Sequence, residues 1–237
     1  MKCVICGYDS YEIIGEKKFD DIRTKNRSFT FTVRLVCCKK SGVIFQNPLQ
    51  DISKLEEYYK SMHRKEGCRP PLSIEKQFNL RVDFACKFVK KGQRVMEIGC
   101  ADGTTLGIFR NRGMIPYGIE VSKNNVSLCR KKDIEVFCGL YEKYPLSKES
   151  ELVFDLACNY FVLEHVVSPV DFLSFCNRLI NVGGTLCIEV PDIGAYEKEE
   201  SPSDLLFFYE HQFHFTQETI DILLRRCGFK LLEFAEN

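Results

Sequence analysis

A chain of 237 residues, 45% of them hydrophobic, has room for one full α/β domain and a small appendage. Lysine plus arginine equals aspartate plus glutamate, 33 of each, so no net field favours nucleic acid or an anionic membrane, and no apolar run is long enough to span a bilayer. The N-terminus, Met1-Lys-Cys-Val-Ile-Cys6, has no secretory leader, and many of the 13 cysteines (Cys86, Cys158, Cys176, Cys187, Cys227) sit inside apolar runs as small hydrophobes, so the chain reads as a cytoplasmic protein with reduced thiols.

Three zones follow in chain order. Residues 1–50 open on Cys3-x-x-Cys6-Gly7, half of a zinc knuckle. Strand-like alternation follows in Phe29-Thr-Phe-Thr-Val-Arg-Leu35, and Asn47-Pro48 closes the zone. The second half of the knuckle falls on Cys37-Cys38-Lys-Lys-Ser41-Gly42. Cys38 is a third thiolate, but the fourth expected ligand is Ser41, a poor one for zinc at neutral pH. Cys37 could substitute, although adjacent cysteines strain a tetrahedral site. Zinc, or a metal-free module of the same fold, both fit. Residues 51–92 form a helical connector: a short helix with Tyr58-Tyr59, a break at Pro70-Pro71, and a helix capped by Ser73 with Ile74, Phe78, Val82, Ala85 and Val89 on one face.

Residues 93–237 alternate strand and helix, which predicts a doubly wound, mostly parallel sheet covered on both faces. Strands are expected near 94–98, 116–120, 134–137, 153–158, 185–190 and 229–234. Ser122 caps the helix after the second strand. Ser168-Pro169 with Asp171 starts another helix, with Phe172, Leu173, Cys176, Leu179 and Ile180 inward and Gly183-Gly184 as its stop. Thr216 caps the last helix, Ile220, Leu223, Leu224 and Cys227 face inward, and Gly228 ends it.

The first two strands of that zone carry the clearest chemistry. Arg94-Val-Met-Glu-Ile-Gly-Cys-Ala-Asp-Gly103 reads as a buried strand, a glycine turn and a helix start, where free N–H groups meet a ligand. The next strand ends in Glu120, a carboxylate able to accept both hydroxyls of a ribose. A dinucleotide site would want G-x-G-x-x-G, whereas Glu97-x-Gly99-x-x-x-Gly103 sets a carboxylate where a pyrophosphate would lie. That suits an adenosine compound with a cationic amino-acid end. Here the chain resembles the class I S-adenosylmethionine-dependent methyltransferases, from about Arg94 to Phe234. The other reading is a doubly wound domain whose glycines only make a tight turn.

By that resemblance the bend from Glu97 through Gly99, Cys100 and Ala101 to Gly103 holds the methionine part, Glu120 the ribose, and Val121 packs on adenine. Gly139 and Leu140 border the adenine without the acidic residue often found there, and Asn159, at the end of the fourth strand, faces the methionine end. The resemblance also implies a seventh, antiparallel strand between the fifth and sixth. The sequence stops just after the sixth, which implies a shortened chain or an edge covered by another segment or subunit. No oligomeric state is readable.

Acceptor residues are sought in two places. Glu164-His165 resembles the Leu-Glu-His run of small-molecule methyltransferases; related quinone O-methyltransferases bind a divalent cation with Glu-x-x-Glu-His, but Phe161 replaces the first glutamate, which argues against a metal. His165 is then a general base or a structural histidine. In Phe208-Tyr-Glu-His-Gln-Phe-His-Phe-Thr216, which follows a polar stretch from Glu197 to Asp204 suited to a mobile lid, Glu210 could orient His211 for proton removal, or the pair could only mark a helix entry. The N-terminal module resembles the zinc ribbon ahead of sugar C-methyltransferase domains. The expectation is therefore an S-adenosylmethionine-dependent methyltransferase of a small molecule, a deoxysugar nucleotide first, with C- or O-methylation open. The rivals are a methyltransferase-like binding protein without turnover and a methylase of RNA or protein.

Overall fold

The computed structural model describes residues 2–23, 28–61, 72–146, 153–196 and 207–235. Pro70-Pro71 and the 197–204 stretch lie outside these residues. The chain divides into two compact units: Met1–Tyr58 with Phe161–Asn177 and Val190–Asn237, and Tyr59–Tyr160 with Arg178–Glu189.

The first unit is built on a four-stranded antiparallel sheet in the order β1 (Tyr11–Arg23), β2 (Ser28–Cys38), β3 (Ile44–Gln46) and β9 (Phe213–His214). In β2 the alternation does what the sequence implies: Phe29, Phe31, Val33 and Leu35 are buried and the residues between them are exposed. Because β9 comes from far along the chain, a module boundary at residue 50 does not coincide with a compact unit. Helices α1 (Ile52–Ser61), α5 (Pro169–Leu179), α6 (Ile193–Tyr196) and α7 (Gln217–Arg226) contribute wholly or largely to this unit. Ser168 Oγ accepts from the Asp171 N–H at 3.3 Å. Thr216 and Thr219 form a reciprocal capping box on α7, and Gly228 follows it at φ +82°.

The second unit contains the parallel sheet: β4 (Arg94–Ile98), β5 (Ile115–Glu120), β6 (Glu135–Cys138), β7 (Phe154–Tyr160) and β8 (Ile180–Glu189), in the order β6-β5-β4-β7-β8 with every pair parallel. Helices α2 (Leu72–Ala85), α3 (Thr104–Asn111) and α4 (Lys123–Arg130) accompany it. Val82, Ala85, Val95, Leu106, Phe109, Val126, Cys129, Ile134, Leu156 and Cys158 form its core. Burial of these side chains, each about 1.5–3 kcal/mol for a Val, Leu, Ile or Phe, holds the strands flat against the helices. Strand order reverses between β4 and β7, the switch point at which open α/β sheets bind ligands beyond their strand ends.

Three expectations need correction. Residues 229–234 form no strand: Leu232 and Phe234 are 64% and 42% exposed, so no sheet edge takes up their apolar face. Gly183-Gly184 does not stop α5; the helix ends at Leu179, and the glycines lie within β8, where the register with β7 shifts. The second connector helix starts at Leu72, one residue before the proposed Ser73 cap. Among the described residues no helix is long and apolar enough to cross a membrane.

Candidate functional site

At the tip of β4 the chain turns sharply over the end of β5. The Gly99 and Cys100 N–H groups both donate to the Ile119 carbonyl, at 2.8 and 3.2 Å, and Gly103 N donates to the Cys100 carbonyl at 2.9 Å. Three positive φ angles make the bend: Gly99 at 76°, Ala101 at 46° and Gly103 at 73°. Gly103 has a second reason to lack a side chain, since a Cβ there would stand 2.8 Å from Cys129 Sγ. It is also the residue before α3 and supplies no side-chain cap to that helix start.

Glu120 is built into this bend. One carboxylate oxygen accepts from the Ala101 N–H at 2.9 Å and the other from the Ser122 N–H at 2.7 Å. The Gly139 N–H donates to the Glu120 carbonyl at 2.9 Å, which brings the 138–140 segment to the same strand tip. Burial pushes the Glu120 carboxyl above its ordinary value, and the backbone N–H groups of Ser122 and Ala101 oppose that shift. A carboxylate fixed by two backbone donors keeps acceptor lone pairs for further hydroxyls.

Glu97 and Asn159 complete the constellation. Glu97 is 4% exposed, its Oε2 has no hydrogen-bond partner among the described residues, and burial raises its pKa well above the carboxylate range. Asn159 is fully buried at the end of β7, and neither Nδ2 nor Oδ1 has a partner there. Buried polar groups without partners are costly and rare in folded proteins. Two of them at the tips of the adjacent strands β4 and β7 mark a place for a ligand with donors, an ammonium above all. Asp102, by contrast, is occupied locally: its Oδ1 accepts from Thr104 Oγ1 at 2.8 Å.

Arg81 is a residue the sequence reading did not reach. From α2 its guanidinium grips Glu189 at the end of β8, Nε donating to Oε2 and Nη2 to Oε1, the latter at 3.2 Å. It lies 5.4 Å from the Phe78 ring centroid and 5.5 Å from that of Tyr160, and its charge favours the ionised form of Glu97. The signal available in the sequence was an arginine on the helix whose Phe78, Val82 and Ala85 turn inward.

In the first unit a second constellation forms. The Glu164 carbonyl accepts from Gln212 and Phe213 N–H at 2.7 and 3.1 Å, so the turn after β7 is bonded to the strand β9 segment. The fully buried Gln46 amide donates to the Tyr209 and His211 carbonyls at 3.2 and 2.7 Å. His165 Nδ1 is 3.1 Å from the Glu210 carbonyl oxygen, and its Nε2 is 3.7 Å from Glu164 Oε1. The His165 and His211 ring centroids are 4.9 Å apart, and those of His211 and His214 5.7 Å. Burial, aided by His165 and His214, holds His211 down at about 3; burial holds His214 at about 4 and lowers His165. All three imidazoles are therefore neutral at physiological pH.

The structure thus joins His165 to His211, as the sequence could only suggest. It does not make Glu210 the group that orients His211. The Glu210 backbone carbonyl serves His165 instead, and the Tyr58 and Tyr209 hydroxyls meet at 2.8 Å.

The cysteine module shows a partial metal geometry. Cys3, Cys6 and Cys38 bring their thiols together. Cys6 and Cys38 sulfurs are 3.6 Å apart, and Cys3 Sγ is 3.3 Å from Ser41 Oγ. A tetrahedral zinc with bonds of about 2.3 Å to sulfur needs sulfur–sulfur edges of about 3.8 Å, so the donors present fit the ion. Against burial, the Ser41 hydroxyl and the Ser41 and Lys40 N–H groups pull the Cys38 thiol down to about 7, toward the thiolate a metal requires. Cys37 is not a substitute ligand: its Sγ lies 3.5 Å from the Gly42 carbonyl, outside the cluster, because successive residues of β2 point to opposite faces. Ser41 Oγ, beside Cys3 Sγ, is the donor that would stand at a fourth corner.

Comparison with known proteins agrees with this architecture. A family model described as a methyltransferase domain matches residues 74–233. A ubiquinone biosynthesis O-methyltransferase of Roseobacter denitrificans is 30% identical over 135 residues, 53% of this chain and 52% of that protein. The chain spans about half the length of that relative. Among solved structures, an S-adenosylmethionine-dependent methyltransferase of Archaeoglobus fulgidus matches with a TM-score of 0.55 at 19% identity, covering 76% of this chain and 75% of the other. The [4+2]-cyclase SpnF matches with a TM-score of 0.56 at 18% identity over 78% and 74% of the two chains. These likenesses show the fold, a mostly parallel sheet flanked by helices; the SpnF match illustrates that the fold alone does not name a reaction.

Proposed function

The chain belongs to the methyltransferase-domain family, and from that premise we propose that it moves the methyl group of S-adenosylmethionine to an oxygen of a small molecule. The observation that carries the donor assignment is the pair of buried, unpartnered polar groups, Glu97 Oε2 and the Asn159 amide, beside a Glu120 carboxylate already fixed by backbone N–H groups. Glu97 and the Asn159 carbonyl would receive the ammonium of the donor's amino-acid end. Arg81 would attract its carboxylate, and Glu120 would accept the ribose hydroxyls. When bound, the sulfonium supplies an activated methyl group. The protein's part is orientation, worth several kcal/mol of a bimolecular barrier.

Oxygen is favoured as acceptor atom by the name of the curated relative, a ubiquinone biosynthesis O-methyltransferase. The His165, Tyr209, Glu210 and His211 segment is assigned to acceptor contact. With His211 held at about 3, its neutral imidazole is a hydrogen-bond acceptor or ligand rather than a strong base. A second reading, methyl transfer to a deoxysugar nucleotide, draws on the Cys3, Cys6, Cys38 cluster, which we assign to structural zinc with Ser41 or a water at the fourth corner.

The test is a panel of ring phenols, vicinal diols and nucleotide sugars incubated with the donor and scored by release of S-adenosylhomocysteine. Turnover confined to hydroxylated ring compounds supports the first reading. Turnover confined to nucleotide sugars selects the second. Donor binding without turnover on any member would leave a methyltransferase-like binding protein, and no donor binding would refute both.

A further inference from the structure

Two consecutive carbonyls of the bend before α3 are held by the end of α4. Cys129, in the last turn of that helix, donates from Sγ to the Ala101 oxygen at 3.2 Å, and Lys132, just beyond it, donates from Nζ to the Asp102 oxygen at 2.7 Å. We propose that Lys132 is a positioning residue for S-adenosylmethionine: it acts through the 99–104 bend, which its ammonium keeps in the shape the ligand meets. The inference rests on the methyl-donor reading and lies wholly within the second unit.

Three observations carry it. The bend needs fixing. Ala101 and Gly103 lie at φ 46° and 73°, and for alanine that region is costly, so surrounding contacts must offset the strain. The ammonium is placed for the task. Besides the Asp102 carbonyl, Nζ meets Thr104 Oγ1 at 3.4 Å and the Asp102 carboxylate at 3.7 Å, so it engages both residues that flank Gly103. The lysine is itself anchored. Arg110 of α3 donates to the Lys132 carbonyl, while the Lys132 and Ile134 N–H groups both donate to the Cys129 carbonyl, at 2.9 and 3.2 Å.

Simple charge attraction would not choose a lysine here. A cation beside the N-terminus of α3 opposes the helix dipole, and it repels a ligand that carries a sulfonium and an ammonium. Its place is explained by the hydrogen bonds it donates, which its charge strengthens. Those bonds preorganise the bend, so the ligand does not have to order it on binding. The two effects differ in sign. Removing a repelling charge tightens binding of S-adenosylmethionine, whereas removing a brace weakens it.

The experiment measures S-adenosylmethionine binding to the full chain by calorimetry, beside amide hydrogen exchange of residues 99–104 in the unliganded protein. Lys132→Met keeps the aliphatic stem and removes the bonds. It should weaken binding about tenfold. It should also speed exchange in the bend while residues 94–98 stay as protected as in wild type. Lys132→Arg retains the charge and the donors and should bind within about threefold of wild type. Lys131→Met, an exposed change next to it, should stay within about twofold. S-adenosylhomocysteine, which lacks the sulfonium charge, should also bind more weakly to Lys132→Met, because the loss lies in the bend. Binding of either ligand by folded Lys132→Met that equals or exceeds wild type, unchanged exchange in the bend, or a Lys132→Arg protein as weak as Lys132→Met would each overturn the assignment. Wild-type protein that binds no S-adenosylmethionine refutes the methyl-donor reading instead, and the exchange comparison still decides whether Lys132 holds the bend.

Discussion

Replacing Glu120 by alanine removes the group expected to hold the ribose. Each hydroxyl donating to an ionised carboxylate contributes about 1.5–3 kcal/mol, so losing two costs about 3–6 kcal/mol, or about 10²- to 10⁴-fold in Kd. The structure predicts that glutamine does not rescue the site. The two carboxylate oxygens accept from Ala101 N and Ser122 N, so whichever oxygen becomes an NH₂ group faces a backbone donor. Glu120→Gln should therefore weaken binding in the same direction and loosen the 99–103 bend. Isothermal titration calorimetry with S-adenosylmethionine reads both variants. Glu135→Ala, an exposed change on β6, serves as a control expected to stay within about twofold of wild type. A folded Glu120→Ala protein that binds the donor within threefold of wild type would refute the ribose assignment.

Three further outcomes follow from the same geometry. Burial raises the Glu97 carboxyl, so folding favours its protonated form and stability falls as pH rises from the unfolded value through the folded one. Glu97→Gln should thus raise the Tm of the unliganded protein, by about 2–4 °C per kcal/mol recovered, while weakening donor binding; calorimetric melting that shows a lower Tm contradicts it. Gly103→Ala places a Cβ 2.8 Å from Cys129 Sγ at φ +73° and should destabilise the second unit by about 1–3 kcal/mol in urea unfolding. Wild-type protein should hold one equivalent of zinc that Cys3→Ser loses, and Ser41→Cys should tighten it against a competing chelator; zinc retained in Cys3→Ser removes the cysteine cluster as its site.

The parallel sheet was legible because its strands are buried runs bounded by glycine turns and helix caps. Ser122 and Thr216 cap as their neighbours imply. The segment 229–234 has the composition of a strand without a sheet edge to join, and composition does not report edges. The long strand β1 is not legible from burial, because those of its side chains that are described are exposed or only half-buried and several carry charge; its ladder with β2 defines it. In the donor site Glu97, Gly99, Gly103 and Glu120 were readable from order and spacing. Arg81 was not, since its partner Glu189 is remote in sequence. The meeting of Glu164 and His165 with His211, and the choice of Ser41 over Cys37, are likewise products of long-range pairing and strand facing.

The most direct measurement is a crystal structure of the protein grown with S-adenosylmethionine. The donor's ribose hydroxyls should lie on the Glu120 carboxylate and its ammonium between Glu97 and the Asn159 amide. An empty crevice at the ends of β4, β5 and β7 at saturating donor, or a donor whose amino-acid end turns away from Glu97, would contradict the assignment.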